Sequence, residues 1–187
     1  AVCSAAGVQG NFQMAPSGSG GALVVWEDER NGNKDIYLQS VLSVGLLVYQ
    51  VDGVAITTAL NDQVTPQIVN DGQGTNAVVV WGTDTSGDGK NDLLAQQINI
   101  ATGTRGWPES GVVICNASNL QQLPKISAGL SGDVYIGWED QRADLDTYLQ
   151  RLSSTGTVAF TNNGSNICSL TLNAVQDQAA LSAGTGV

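Results

Sequence analysis

The sequence predicts an all-β fold of β-propeller-type blades, with three four-stranded repeats of about 55 residues and partial strands at both ends. Three observations predict it. A tryptophan at the end of an apolar run recurs at Trp26, Trp81 and Trp138, at spacings of 55 and 57 residues. The same three further segments follow each tryptophan. No window shows an apolar stripe with the period of a helix.

The first segment of each repeat is the apolar run that contains the tryptophan. In the first repeat this run is Leu-Val-Val-Trp and is followed by Glu-Asp, so that it ends at Asp28. Equivalent runs lie at 76–84 and 133–140. Uninterrupted apolar residues are typical of a strand that is covered on both faces, as an inner strand of a blade is.

Three more short segments rich in Val, Ile and Tyr complete each repeat. The second segment is 35–39, 92–96 and 146–150, the third is 49–56, 107–114 and 160–167, and the fourth is 65–69, 123–127 and, more weakly, 179–182. Asp-Gly, Asn-Gly and Thr-Gly pairs between them favour hairpin turns, so each repeat is predicted to contain four strands. Tandem β-sandwich modules are the alternative, although such a module usually needs about 100 residues.

The register of the repeats divides the chain into a single array, 1–187. The predicted parts are a partial unit at 1–20, repeats at 21–69, 70–127 and 128–182, and the start of a truncated next unit at 183–187. Three blades cannot close a ring, because propellers have about four blades or more. An uncovered blade face and a bare strand edge expose apolar surface, so we expect self-association into a homo-oligomer or polymer, or a longer array.

Charge and composition exclude several classes of function. The chain has 17 acidic and 7 basic residues, a formal net charge of -10, and such a surface repels nucleic acid and anionic lipid. The longest apolar stretch, near 41–51, is too short for membrane insertion. The sequence contains no histidine, which removes the Ser-His-Asp and Cys-His nucleophile pairs and imidazole metal ligands.

The motifs also resemble a known class of repeat. Trp-Glu-Asp-x-Arg at 26–30 and 138–142, Asp-Ile-Tyr-Leu-Gln at 35–39 and Gly-Val-Val-Ile-Cys at 111–115 are similar to repeats of large secreted bacterial surface proteins with propeller-like architecture. The resemblance implies a propeller-like fold and an extracellular, cell-surface location. We therefore expect a non-enzymatic structural or adhesive protein, a subunit of a surface assembly or filament, rather than an enzyme.

The second repeat departs from this pattern and suggests a calcium site. Its hairpin has oxygen-bearing side chains at loop positions 1, 3, 5 and 9 and glycine at position 6, the spacing with which a short loop wraps a hard cation. The predicted ligands are Asp84, Ser86, Asp88, Lys90 through its backbone carbonyl, and Asp92. The loop resembles the calcium hairpins in the propellers of integrin α subunits and related FG-GAP repeats. An ordinary Asp/Gly turn without an ion is the alternative.

The other two hairpins are shorter and are predicted to be free of metal. Arg30 is expected to pair with Asp28 or Asp35, and Arg142 with Asp140 or Asp146, through charge-assisted hydrogen bonds across the turn.

Two further functions remain open as alternatives. The pairs Glu27/Asp28 and Glu139/Asp140 suit a glycoside hydrolase, but their recurrence at one repeat position argues against an active site built from different residues. A lectin-like propeller would hold a glycan on exposed aromatic rings. The three repeated tryptophans are expected in the core, whereas Trp107 and Tyr49 lie nearer strand ends.

The three cysteines occupy one repeat position. Cys115 and Cys168 are equivalent, Cys3 is the third equivalent, and Thr57 takes this place in the first full unit. The odd count allows an intermolecular disulfide, for example through Cys3, or buried free thiols.

Overall fold

The computed structural model describes residues 1–85 and 87–168. Within these residues the chain forms twelve strands in three four-stranded antiparallel sheets and no helices, which confirms the all-β prediction. Consequently, this part of the chain has no helix long and apolar enough to cross a membrane.

Each sheet is built from four consecutive strands paired in chain order. The first sheet contains β1 (Gln9–Pro16), β2 (Ala22–Asp28), β3 (Asp35–Val41) and β4 (Val54–Thr57). The second contains β5 (Gln63–Asn70), β6 (Asn76–Thr83), β7 (Asp92–Asn99) and β8 (Val112–Cys115). The third contains β9 (Gln121–Ala128), β10 (Val134–Asp140), β11 (Asp146–Leu152) and β12 (Ser165–Cys168).

The sheets are offset by one strand from the repeats that the tryptophan register marks out. Strand β5 falls at the end of the first sequence repeat, but it pairs with β6 of the second sheet. Similarly, β1 lies within residues 1–20 and pairs with β2, to which a tight turn connects it, with the Ser17 N–H donating to the Gly21 carbonyl at 3.1 Å. The segments 179–182 and 183–187 lie outside the described residues.

A bulge recurs in the first strand of every sheet. The pairing register shifts at the same place in β1, β5 and β9. A residue with positive φ lies at each shift: Asn11 at 47°, Thr65 at 52° and Leu123 at 50°. Residues other than glycine rarely adopt this conformation, so its recurrence at the same place in three sheets indicates that they share one backbone plan.

The sheets pack face to face, with one apolar core between the first and second sheets and another between the second and third. In β6, Val79 and Trp81 belong to the core shared with the first sheet, whereas Val78 and Val80 belong to the core shared with the third. Successive side chains of a strand point to opposite faces, so an apolar run buries both faces of the second sheet. This is the covering on both faces that the run at 76–84 predicts.

The first strands of successive sheets also lie beside one another, β1 next to β5 and β5 next to β9. Loops between the third and fourth strands reach across the same boundaries. Tyr49 donates a hydrogen bond to the Ile100 carbonyl at 2.8 Å, and the indole N–H of Trp107 donates to the Ser154 carbonyl at 3.3 Å. Each sheet is therefore joined to the next by a core and by an aromatic side chain.

Candidate functional sites

The predicted calcium loop is folded around Asp84. The carboxylate of this residue accepts hydrogen bonds from the backbone N–H groups of Gly87, Asp88 and Gly89, at 2.6, 3.2 and 2.9 Å. Asp88 in turn accepts from the N–H of Lys90 at 2.9 Å. The first residue of the loop thus holds the backbone of Gly87, Asp88 and Gly89 around its own carboxylate.

The other predicted ligands have different surroundings. Asp92 begins β7, is buried, and accepts hydrogen bonds from the backbone N–H and the hydroxyl of Thr85. The ammonium of Lys90 donates to Oδ1 of Asn119 at 2.8 Å, while Ser86 lies outside the described residues. In the part of the chain that the structure describes, no three Asp, Glu, Cys or His side chains are gathered closely enough to hold a metal ion.

A buried carboxylate organises the corresponding hairpin of the first sheet. Asp28 is fully buried at the end of β2. The Arg30 guanidinium donates to both of its oxygens, at 2.8 and 2.6 Å, and the indole N–H of Trp26 donates at 2.8 Å. The backbone N–H of Arg30 adds a hydrogen bond at 3.0 Å. The predicted pairing of Arg30 with an acidic residue of its hairpin is confirmed, and Asp28 is that residue.

Other groups hold the Arg30 side chain from several sides. Its guanidinium carbon lies 3.9 Å from the centre of the Tyr37 ring. One guanidinium nitrogen also donates to the Cys3 sulfur at 3.3 Å and to the Asp52 carbonyl at 2.9 Å. Planar guanidinium groups suit this combination of ring stacking and two-pronged hydrogen bonding.

The third sheet repeats the same cluster. Arg142 donates to Asp140 at 3.0 and 2.6 Å, and the indole of Trp138 donates to Asp140 at 2.9 Å. Arg142 stacks on Tyr148 at 3.9 Å and donates to the Cys115 sulfur at 3.2 Å. Cys115 ends the last strand of the second sheet, so this cluster spans the boundary between two sheets.

The second sheet lacks the cysteine, aspartate, arginine and tyrosine of the cluster and keeps the tryptophan. Thr57, Thr83 and Thr85 take the places of the cysteine, aspartate and arginine, and Leu94 takes the place of the tyrosine opposite Trp81. The Trp81 indole N–H accordingly has no hydrogen-bond partner among the described residues. The four substitutions together leave neither an arginine nor an aspartate at these positions.

The cluster shifts the pKa values of its members. Burial alone raises the pKa of the Asp28 carboxyl, but hydrogen bonds from Arg30 and Trp26 outweigh it and lower the pKa to about 2. The pKa of Asp140 is lowered by the same balance, with Arg142 and Trp138 as donors. Burial raises the pKa of the Cys115 thiol to about 12, so this sulfur stays protonated and is a poor nucleophile.

Three of the four carboxylates considered for glycoside hydrolysis, those of Glu27, Asp28 and Asp140, are buried. Asp28 and Asp140 are buried in ion pairs with depressed pKa values, whereas a general acid needs a raised one. Glu27 accepts hydrogen bonds from the Asn11 amide at 2.6 Å and from the Thr65 N–H at 2.8 Å, and it pairs with Lys34 at 3.1 Å. Glu139 is half-buried and accepts a hydrogen bond from the Gln122 amide at 2.9 Å.

The aromatic side chains considered for glycan binding are also covered. The three repeated tryptophans lie in the core, as predicted. Trp107 and Tyr49 are buried between sheets, where they pack on Gly156 and Gly103. The ring surfaces on which the lectin alternative depends are therefore used for packing.

All three cysteines are free thiols, with Cys115 buried and Cys168 exposed. The contact between cysteine and the Asp–Arg pair was missed by sequence reasoning. A signal for it exists, because Cys3 precedes Asp28 and Cys115 precedes Asp140 by the same 25 residues. In the second sheet, Thr57 precedes Thr83 by 26 residues.

Comparison of the chain with protein-family models and with curated proteins found no match.

Proposed function

We propose that this chain is a non-enzymatic structural or adhesive repeat protein of the cell exterior, a subunit of a surface assembly or filament. In this proposal each four-stranded sheet is a propeller-type blade. Propeller blades are four-stranded sheets packed face to face around an axis.

One observation carries the proposal: the same sheet-on-sheet contact occurs twice. Both contacts contain an apolar core, adjacent first strands and an aromatic side chain that crosses the boundary. Arrays of this kind gain stability from neighbouring units and present extended surfaces, which suits scaffolding and adhesion.

The use of the reactive side chains supports a role without catalysis. The buried aspartates neutralise arginines, and the buried thiol of Cys115 packs against Arg142. An enzyme site instead combines different residues in one pocket, with pKa values tuned to proton transfer. The extracellular location is supported by the resemblance of the Trp-Glu-Asp-x-Arg repeats to those of secreted surface proteins.

Calcium stabilisation is part of the proposal. The Asp84 side chain already bends its loop, and the five predicted ligand positions offer carboxylate, hydroxyl and carbonyl oxygens, the donors that calcium prefers. A bound ion would neutralise three carboxylates that lie within nine residues of the chain.

Calorimetric titration with calcium tests this part. We expect heat of binding for the wild-type protein and a rise in its unfolding temperature, both lost in Asp88→Ala. Asp144→Ala is the matched control, because it removes an exposed carboxylate from the equivalent hairpin of the third sheet. Absence of any calcium effect on the wild-type protein would overturn the calcium proposal.

Labelling of intact source cells with an antibody against the chain tests the location and the role. Surface labelling without permeabilisation is expected, together with background signals on a glycan array and in a panel of glycoside hydrolase assays. Labelling only after permeabilisation contradicts the location. Reproducible glycan binding or release of reducing sugar would replace the structural role with a lectin or an enzyme.

A further inference from the structure

The two sheet-on-sheet contacts bury one side of the fourth strands. Ile56 in β4 and Ile114 in β8 are each 1% exposed, because the next sheet covers them. The equivalent residue of β12, Ile167, is 53% exposed. The aromatic side chains that reach across the boundaries differ in exposure in the same way. Tyr49 and Trp107 are buried, whereas the equivalent Phe160 is 36% exposed.

On the first sheet, the face that points away from the second sheet is not covered by any of the described residues. Ile68 in β5 is 8% exposed beneath the first sheet, whereas its equivalent in β1, Met14, is 57% exposed. Met14, Phe12 and Val24 line an apolar depression on this face. In the second and third sheets, an aromatic ring of the preceding sheet packs on a turn glycine: Tyr49 packs on Gly103, and Trp107 packs on Gly156.

The first sheet has the same turn without its ring. Gly45 has a φ of 83°, close to those of Gly103 and Gly156, and no atom of the described residues lies within 4 Å of the position that a Cβ would take there. The third sheet thus has an exposed aromatic ring, that of Phe160, and the first sheet has a glycine turn, at Gly45, of the kind on which such a ring packs in the other two sheets.

The two uncovered faces also carry the equivalents of a hydrogen-bonded pair that joins the first and second sheets. Glu27 of the first sheet accepts a hydrogen bond from the bulge N–H of Thr65 in the second sheet at 2.8 Å. Glu139 has the same position in the third sheet and accepts from Gln122 of its own sheet at 2.9 Å. Asn11 holds the place of Thr65 in the first-sheet bulge, with a similar φ.

We propose that the open face of the third sheet packs on the open face of the first sheet of a second copy of this chain. Phe160 then covers the Gly45 turn of that copy, and Ile167 is buried near Met14. The inference deepens the proposed function and rests on it. The occupant is a second copy because the chain itself carries both halves of a contact that it already forms twice.

Such a contact is head-to-tail, and head-to-tail contacts form a ring when their rotation closes. Closed propellers have between about four and eight blades. The described residues, 1–85 and 87–168, form three sheets, so two copies supply six of them, whereas three copies exceed this range. We therefore expect a closed dimer of twice the 19.3 kDa chain mass.

Sedimentation equilibrium of two face variants tests the proposal. Ile167→Asp impairs the third-sheet face, and Met14→Asp impairs the first-sheet face. Each variant alone is expected to be monomeric, and circular dichroism checks that it remains folded. Leu60→Asp and Leu130→Asp, at exposed loop positions, are controls that should stay dimeric.

Mixing the two variants provides the decisive arm. The intact first-sheet face of Ile167→Asp can bind the intact third-sheet face of Met14→Asp, so the mixture should form a one-to-one dimer. Phe160→Ser replaces Ile167→Asp if that variant fails to fold.

Several results would overturn the proposal. These are a wild-type protein that is monomeric at all concentrations, a dimer that survives either face substitution, and a mixture that stays monomeric. Each of these outcomes leaves surface labelling of cells unaffected, so failure of this contact is distinguishable from failure of the proposed function.

Discussion

The first and third sheets contain a buried Asp–Arg cluster, and the second sheet forms the same four strands without it. Arg30 and Arg142 each bind an aspartate, stack on a tyrosine and contact a cysteine. Threonine and leucine fill the equivalent places in the second sheet. The cluster is therefore not a requirement of the strand pattern, and its polar members are present or absent together.

The energetics of buried charge explain this joint presence or absence. A buried ion pair contributes little net stability compared with apolar residues of the same shape. Removing one partner alone is costly, because the other charge remains buried without compensation. A complete cluster and a site without either charge are both acceptable, whereas a site that keeps one charge without its partner is costly.

The largest expected effect comes from breaking one cluster. Asp140→Thr introduces the residue that the second sheet has at this position and leaves Arg142 without its carboxylate. We expect a loss of about 3–5 kcal/mol in the free energy of unfolding. Urea denaturation measures it, and Thr83→Ala in the second sheet is the matched control, with an expected loss of about 1 kcal/mol. Equal losses for the two variants would contradict the explanation.

A smaller effect is expected at the boundaries between sheets. Gly156→Ala places a Cβ 3.1 Å from atoms of the Trp107 indole at a φ of 80°. We expect a loss of about 2–3 kcal/mol, because overpacking adds to the strain of the left-handed backbone.

Gly45→Ala is the control for this substitution, since its φ is 83° and its surroundings are open. A loss of about 1 kcal/mol is expected from backbone strain alone. Thermal unfolding of dilute protein compares the two variants. If Gly45→Ala proved as harmful as Gly156→Ala, the aromatic contact would have no part in the difference.

The smallest expected effect is on acid stability. The pKa values of Asp28 and Asp140 are lower in the folded protein than in the unfolded chain, so their stabilisation is present above about pH 4. The contribution of Asp28 is lost as the pH falls towards about 2, and that of Asp140 is lost as the pH falls through its own lowered pKa. Burial raises the pKa of Asp35, which acts in the opposite direction.

Comparison with a variant isolates the contribution of Asp140. Asp140→Thr combined with Arg142→Thr should lose less stability between pH 5 and pH 2 than the wild-type protein, while Asp28 and Asp35 contribute equally to both. Urea denaturation across this range provides the measurement. Identical pH profiles would mean that Asp140 has no lowered pKa.

Much of the fold could be predicted from the sequence, because strand identity depends on local pattern. The run ending in Trp81 is buried on both faces, and Arg30 and Arg142 pair with aspartates of their own hairpins, as expected. The boundaries of the sheets could not be obtained in this way. The period of a repeat is the same at whichever residue each unit is taken to begin, so the period alone does not show which strands share a sheet. The tight turn between β1 and β2 places these two strands in one sheet.

The candidate sites were less accessible to sequence reasoning. The contact between Cys115 and Arg142 joins two sheets, so it depends on packing rather than on local pattern. The burial of Trp107 depends in the same way on a glycine turn of the following sheet. The calcium loop remains a prediction, because its support is the spacing of oxygen-bearing residues and the hydrogen bonds to Asp84.

The most direct test of the cluster's scaffold role is a double-mutant cycle in the third sheet. Asp140→Thr, Arg142→Thr and the double variant are compared by urea denaturation. The double variant, which reproduces the threonine pair of the second sheet, should lose about 1–2 kcal/mol and be more stable than Asp140→Thr alone. A double variant whose loss equals the sum of the two single losses would contradict the conclusion that aspartate and arginine form one structural unit.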